Sequence, residues 1–211
     1  MTGYLDDIRV DPSEIAAQEA LYGPLTQSIR SLIDAAIRTE VDSEDIAGAT
    51  AALTQVASLL RARQIDGSYG AQPSVTGVQR SWASPVIGVR NPIAPPLILE
   101  HEPDGRVWAR FRLGAGYEGP PSLVHGGVSA LILDHVLGEA VHASGHWGMT
   151  GTLTLRYRRP TPLNRPLRAD ARIDRVEGRK VYADGSISDE RGITVEASGI
   201  FILPTGYAAA R

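Results

Sequence analysis

Between residues 97 and 203 apolar side chains recur at every second position, and a single stretch with helical spacing interrupts them. Residues 97–102 and 106–113 read as two strands around an Asp104-Gly105 turn. In the second of them Val107, Ala109, Phe111 and Leu113 alternate with polar residues. A Gly/Pro-rich loop follows, and then a predicted helix over 126–144. Four more strands are predicted at 149–159, 167–177, 179–188 and 193–203, where Arg156, Arg158, Asp170, Arg172 and Asp174 alternate with apolar positions. One helix set among antiparallel strands is an α+β arrangement, not an alternating β/α chain.

The first third has a different period. Pro24 sits where a helix start tolerates proline, and Leu25, Ile29, Leu32, Ile33, Ala36 and Ile37 follow as a stripe at helical spacing. Asp42 is placed to cap a second helix, along which Ile46, Ala49, Leu53, Val56 and Leu60 recur at steps of three and four. That seam requires cover from the preceding helix, the main domain or a partner subunit. The run GSYGAQPSV (67–75) and the run NPIAPP (91–96) are loops by composition. The expected organisation is a helical extension over 1–69 and a second domain over 70–211.

The chain has no cysteine, which excludes disulfides, thiolate catalysis and Cys-based metal sites. It has no apolar run long enough for a membrane span, and its acidic N-terminus lacks the pattern of a secretory signal. A cytoplasmic location is therefore expected. All but one of the 21 basic residues are arginine, the exception being Lys180. Residues 1–66 hold 11 acidic and 5 basic side chains, whereas 67–211 hold 13 acidic and 16 basic. The second part suits an anionic ligand, but the imbalance is too small to imply nucleic acid.

The informative stretch is GYEGPPSLVHGGVSALILDHVLG, residues 116–138. A helix that opens on His125-Gly126-Gly127 presents unpaired backbone N–H groups at its positive end, and glycine lets a carbonyl approach them closely. Such an N–H is an oxyanion donor for a thioester, worth roughly 3–4 kcal/mol in the transition state. Asp134 lies two turns further on, within Val128, Leu131, Ile132, Leu133, Val136 and Leu137. A carboxylate in that company is costly unless it has a task or a partner. Gly126 and Asp134 are separated by roughly 12 Å along the axis, too far to act on one carbonyl from a single helix. If both serve one thioester, two copies of the helix must approach each other antiparallel.

Residues 116–138, with the strand MTGTLTLRYRRPTPL that follows at 149–163, resemble the hotdog-fold thioesterase superfamily. The nearest branch is that of the phenylacetate-pathway and long-chain acyl-CoA thioesterases. The family pattern is His-Gly-Gly with a carboxylate nine residues after the His, met here by His125 and Asp134. The strand pattern T-x-x-L-x-L-x-Y-x-R-P-x-P is met by Thr150, Leu153, Leu155, Tyr157, Arg159, Pro160 and Pro162. The resemblance covers about residues 85–203. It implies an antiparallel sheet wrapped around one central helix, here with an N-terminal helical extension, and hydrolysis of an acyl-CoA to acid and CoA. It further implies Gly126 N–H, beside Gly127, as the oxyanion donor. Asp134 of the other subunit would be general base or nucleophile, Thr150 would orient water, and His125 would position the turn. The implied partner is a second copy, with a tetramer left open. No cofactor or metal is implied beyond the CoA of the substrate. Relatives with Glu at the acidic position carry a Thr one turn later, where this chain has Gly138.

The arginine run Arg156, Arg158, Arg159 and Arg165 offers a rim for CoA phosphates, with Arg158 and Arg159 taken as substrate-binding candidates together with Asn91. Gly114-Ala-Gly116-Tyr-Glu-Gly119 matches GxGxxG, but Pro120-Pro121 prevents it from opening into a helix, so it is read as a loop. His135, Glu139, His142 and His146 have metal-compatible spacings without an HExxH. Ser129 lies in no GxSxG. Two other functions are open to this fold. One is another acyl-CoA enzyme such as a hydratase, whose Asp and His lie in a loop, unlike the adjacent mid-helix Asp134 and His135. The other is a non-enzymatic acyl-CoA-binding regulator whose helical module binds DNA, which the acidic balance of residues 1–66 opposes.

Overall fold

The computed structural model describes residues 12–67, 69–70, 72–73, 79–95 and 97–206. The chain forms two compact units, Met1–Ser84 with Gly88–Pro92, and Pro85–Ile87 with Ile93–Arg211.

The first unit contains helix α1 (Pro12–Arg38), helix α2 (Ser43–Arg61) and a two-residue ladder in which β1 (Gln72–Pro73) pairs antiparallel with β2 (Gln79–Arg80). Pro24 does not start a helix; it lies inside α1. Upstream of it Ala16, Ala17, Gln18, Glu19, Ala20 and Leu21 favour helix strongly enough to carry the chain past the one backbone bond a proline removes. Ser28 Oγ donates to the Pro24 carbonyl at 2.9 Å. Asp42 caps α2 as expected, accepting from the N–H groups of Glu44 and Asp45 at 3.0 and 3.1 Å. Gln72 and Pro73, read from composition as loop, are the strand β1. The remainder of that run at 68, 71, 74 and 75, and Pro96 of the second run, lie outside the described residues, as do residues 1–11. Asn91 belongs to this unit and donates from Nδ2 to the Ala83 carbonyl at 3.0 Å.

The second unit contains β3 (Glu100–His101), β4 (Val107–Phe111), helix α3 (Gly126–Ala143), β5 (Met149–Tyr157), β6 (Leu167–Glu177), β7 (Lys180–Asp189) and β8 (Gly192–Ile202). The six strands form one antiparallel sheet in the order β3-β4-β6-β7-β8-β5. β3 is shorter than the 97–102 expected. The sheet buries its apolar face against α3. Val107, Ala109, Ala169, Ala171, Val181, Ala183, Val195 and Phe201 close on Ile132, Leu133, Val136, Leu137, Ala140 and Val141. Two sheet glycines set how near the helix comes. A Cβ on Gly185 would lie 3.2 Å from Leu137, and one on Gly199 would lie 3.4 Å from it. The last strand in the order, β5, pairs with β8 alone, and no residue along it is buried.

Candidate active site

His125 occupies the N-cap of α3 in extended conformation, and its imidazole Nδ1 accepts the Gly127 N–H at 3.0 Å. That bond uses the Nδ1 lone pair of the ring. The His125 carbonyl accepts from Val128 at 2.9 Å and from Ser129 at 3.4 Å. The peptide joining Gly126 to Gly127 is gripped at both ends. Its N–H goes to His125, and its carbonyl receives the Tyr157 hydroxyl at 2.9 Å from strand β5. Of the first-turn donors, the N–H groups of Gly127, Val128 and Ser129 are therefore occupied. The Gly126 N–H has no acceptor among the described residues. A helix N-terminus with one free N–H is suited to a developing negative charge.

The loop before α3 holds this turn in place. The His125 N–H donates to the Tyr117 carbonyl at 2.9 Å, and Glu118 Oε1 accepts the Ser122 N–H at 2.7 Å. A Cβ on Gly119 would sit 2.7 Å from His125 Cα, so the third glycine of the GxGxxG run lets the loop pass beside His125. The run itself contains a short 3-10 turn, Ala115–Tyr117, and does not open into a helix.

Asp134 lies two turns into α3, half-buried, and its Oδ1 accepts the Thr150 hydroxyl at 3.0 Å. Thr150 is brought there by an irregularity in β5. Register against β8 shifts between Thr150 and Thr152, with Gly151 as the extra residue. Leu153 and Leu155 pack against the core at odd positions, so strict alternation would turn Thr150 away from it. The bulge reverses that facing, as bulges beside functional groups commonly do. The bond leaves Asp134 Oδ2 free of any side-chain partner among the described residues.

His135, the next residue, is held neutral. Burial lowers its basicity, and the nearby Glu139 and Asp134 charges offset this only in part. Glu139 bonds instead to His101, Oε1 to Nε2 at 3.0 Å, and Ser144 Oγ contacts His146 Nδ1 at 3.0 Å. Among the described residues no three His, Asp or Glu side chains converge as metal ligands.

The arginine run divides into paired and unpaired members. Arg158 is bound to Glu196, Nε to Oε2 at 2.8 Å. Arg159 bridges the β7–β8 turn. It contacts both oxygens of Asp189, with Nη1 to Oδ2 at 2.9 Å, and the carbonyls of Gly192 and Ile193. Arg156 and Arg165 are exposed and have no such partner among the described residues. Asn91 belongs to the first unit, fastened to its own loop. The sequence pattern does not reveal the grip of Tyr157 on Gly126, although Tyr157 shares the inward face of β5 with Leu153 and Leu155.

Residues 122–196 match the family model described as the thioesterase superfamily. A solved crystal structure of a thioesterase superfamily protein is 37% identical, covers 86% of this chain and 94% of its own, and superposes with a TM-score of 0.78. The chain belongs to the thioesterase superfamily, and its sheet wrapped on a central helix is the hotdog fold. It is 32% identical over 108 residues to acyl-coenzyme A thioesterase THEM4 of Bos taurus, covering 50% of this chain and 44% of that one. It is 36% identical over 100 residues to THEM4 of Xenopus laevis, covering 46% and 45%. The chain thus spans under half the length of these curated relatives. No helix among the described residues is long and apolar enough to cross a membrane.

Proposed function

We propose that the chain is an acyl-CoA thioesterase whose active site is shared between two copies. The observation that carries this is the pairing, on one helix of a thioesterase-superfamily chain, of a free N–H at Gly126 with a carboxylate at Asp134 held by Thr150. The thioester carbonyl oxygen accepts the Gly126 N–H, which stabilises the oxyanion of the tetrahedral intermediate by about 3 kcal/mol. Asp134 of the other copy takes one of two routes. It either deprotonates the water that attacks the carbonyl carbon and passes that proton to the departing CoA sulfur, or attacks the carbon itself. Direct attack expels CoA as thiolate and forms a mixed anhydride that water then hydrolyses to the acid and the free carboxylate. Thr150 holds Oδ1 and so leaves Oδ2 to act. His125 and Tyr157 fix the first helical peptide and thereby the direction of the Gly126 N–H.

The two-copy site follows from the roughly 12 Å between the two groups. The open edge of β5 supports it, because an exposed strand with one unpaired side is a natural seam for a second chain. For the CoA phosphates, Arg156 and Arg165 are better suited than Arg158 and Arg159, whose guanidinium groups are already engaged. The test is Asp134→Asn assayed by trapping the released thiol across a panel of acyl-CoAs. The expected result is a kcat at least ~100-fold lower in a folded protein. Turnover within a few-fold of the parent would remove Asp134 from the mechanism.

A further inference from the structure

Helix α2 buries none of its residues, although Ile46, Leu53, Val56 and Leu60 are all large and apolar. Their exposures are 45%, 42%, 46% and 44%. With Ala49 they occupy 46, 49, 53, 56 and 60, the three-four alternation by which one helix packs along another. The charges on the same helix are polarised. Glu44 and Asp45 lie in the first turn, Arg61 in the last, and Arg63 just beyond it. Gly48, Ala49 and Ala52 leave the backbone open to close approach.

This pattern is complementary to itself in one orientation. Laid antiparallel about a two-fold axis at Leu53, a second α2 sets Leu53 against Leu53, Ile46 against Leu60, and Asp45 against Arg61. The helix dipoles then oppose each other favourably. Laid parallel, the same helix sets Glu44 and Asp45 against their own copies and Arg61 against Arg61. We propose that α2 is an oligomerisation element that pairs antiparallel with the α2 of a second copy of this chain. The pairing does not depend on the thioesterase reading, since none of its residues belongs to the candidate active site.

The absence of cysteine from these 211 residues makes the test direct, because any introduced thiol is the only one among them. Under mild oxidation Leu53→Cys should form a disulfide-linked dimer at least about tenfold faster than Ser58→Cys on the opposite face, since pairing raises the local thiol concentration. Ile46→Cys should cross-link to Leu60→Cys when the two are mixed and exchanged, and poorly to itself. Asp45→Arg should slow the Leu53→Cys reaction, and adding Arg61→Asp should restore it. Circular dichroism of each variant checks that the helix persists. Equal rates for Leu53→Cys and Ser58→Cys would overturn the pairing, and self-linking of Ile46→Cys as fast as its linking to Leu60→Cys would overturn the antiparallel orientation.

Discussion

Thr150 reaches Asp134 because β5 carries one residue more than its partner, and that residue is Gly151. Its lack of a side chain is required there, since a Cβ would come within 2.8 Å of Ile202. Counting by twos along β5 finds the inward positions of Leu153, Leu155 and Tyr157 but misplaces Thr150, because nothing local marks a bulge except the glycine itself. The His-Gly-Gly turn is legible for a different reason: its chemistry is entirely backbone and local. The resemblance names Gly126 as the donor, but a physical reason to prefer it over Gly127 appears only once the cap has formed and the His125 imidazole has taken the Gly127 N–H. If Thr150 serves Asp134 through its hydroxyl, Thr150→Val should lower kcat by about tenfold, equivalent to about 1.4 kcal/mol and close to the range for a hydrogen bond to a charged group. Thr150→Ser should retain most activity. Steady-state kinetics on one acyl-CoA decides it, and a valine variant with unchanged kcat would make Thr150 a plain strand residue.

At the scale of elements, α3 and the strands β5 to β8 lie within two residues of their expected bounds, because each is long and strongly periodic. Pro24 misleads because a helix boundary is a balance of propensities, and the helix-favouring sequence before it outweighs one missing N–H. Arg159 is legible as an arginine beside a proline, but its partner Asp189 is 30 residues away and becomes a neighbour only through the pairing of β7, β8 and β5. That pairing has a pH signature. The hydrogen bonds from Arg159 and the Arg191 N–H hold the Asp189 carboxyl at about 2, below its ordinary 3.8. A carboxyl depressed in the folded state stabilises the fold fully above the unfolded value, and the contribution fades as pH falls from ~4 towards ~2. Asp189→Asn should therefore cost about 1–3 kcal/mol at neutral pH. Its deficit against the parent in urea unfolding should shrink as pH drops through that window. A pH-independent deficit would mean that the turn is held by packing and not by the ion pair.

For the whole molecule the question is whether one chain is a complete catalyst. Gly126 can be altered at its N–H alone. It is the first helical residue, where proline is favoured, and His125 before it already has the extended conformation that a following proline demands, with φ −61° and ψ 132°. A Cβ at this position meets the Tyr157 hydroxyl at 3.2 Å, tight but against a side-chain end that can shift. Gly126→Pro should fold, bind substrate and lose about 100- to 1,000-fold in kcat, the cost of one oxyanion donor. Asp134→Asn should lose activity for the complementary reason. In a shared site, a hybrid of the two variants has one site with an intact N–H from the Asp134→Asn subunit and an intact carboxylate from the Gly126→Pro subunit, while its other site lacks both. Random exchange of equal amounts makes about half of the dimers hybrid with one working site each, so activity should recover to about a quarter of the parent's. Subunit exchange must be shown independently, for instance by differential labelling and native mass spectrometry. Exchange without recovery would confine the N–H and the carboxylate to separate tasks within a single chain, and the two-copy mechanism would fall.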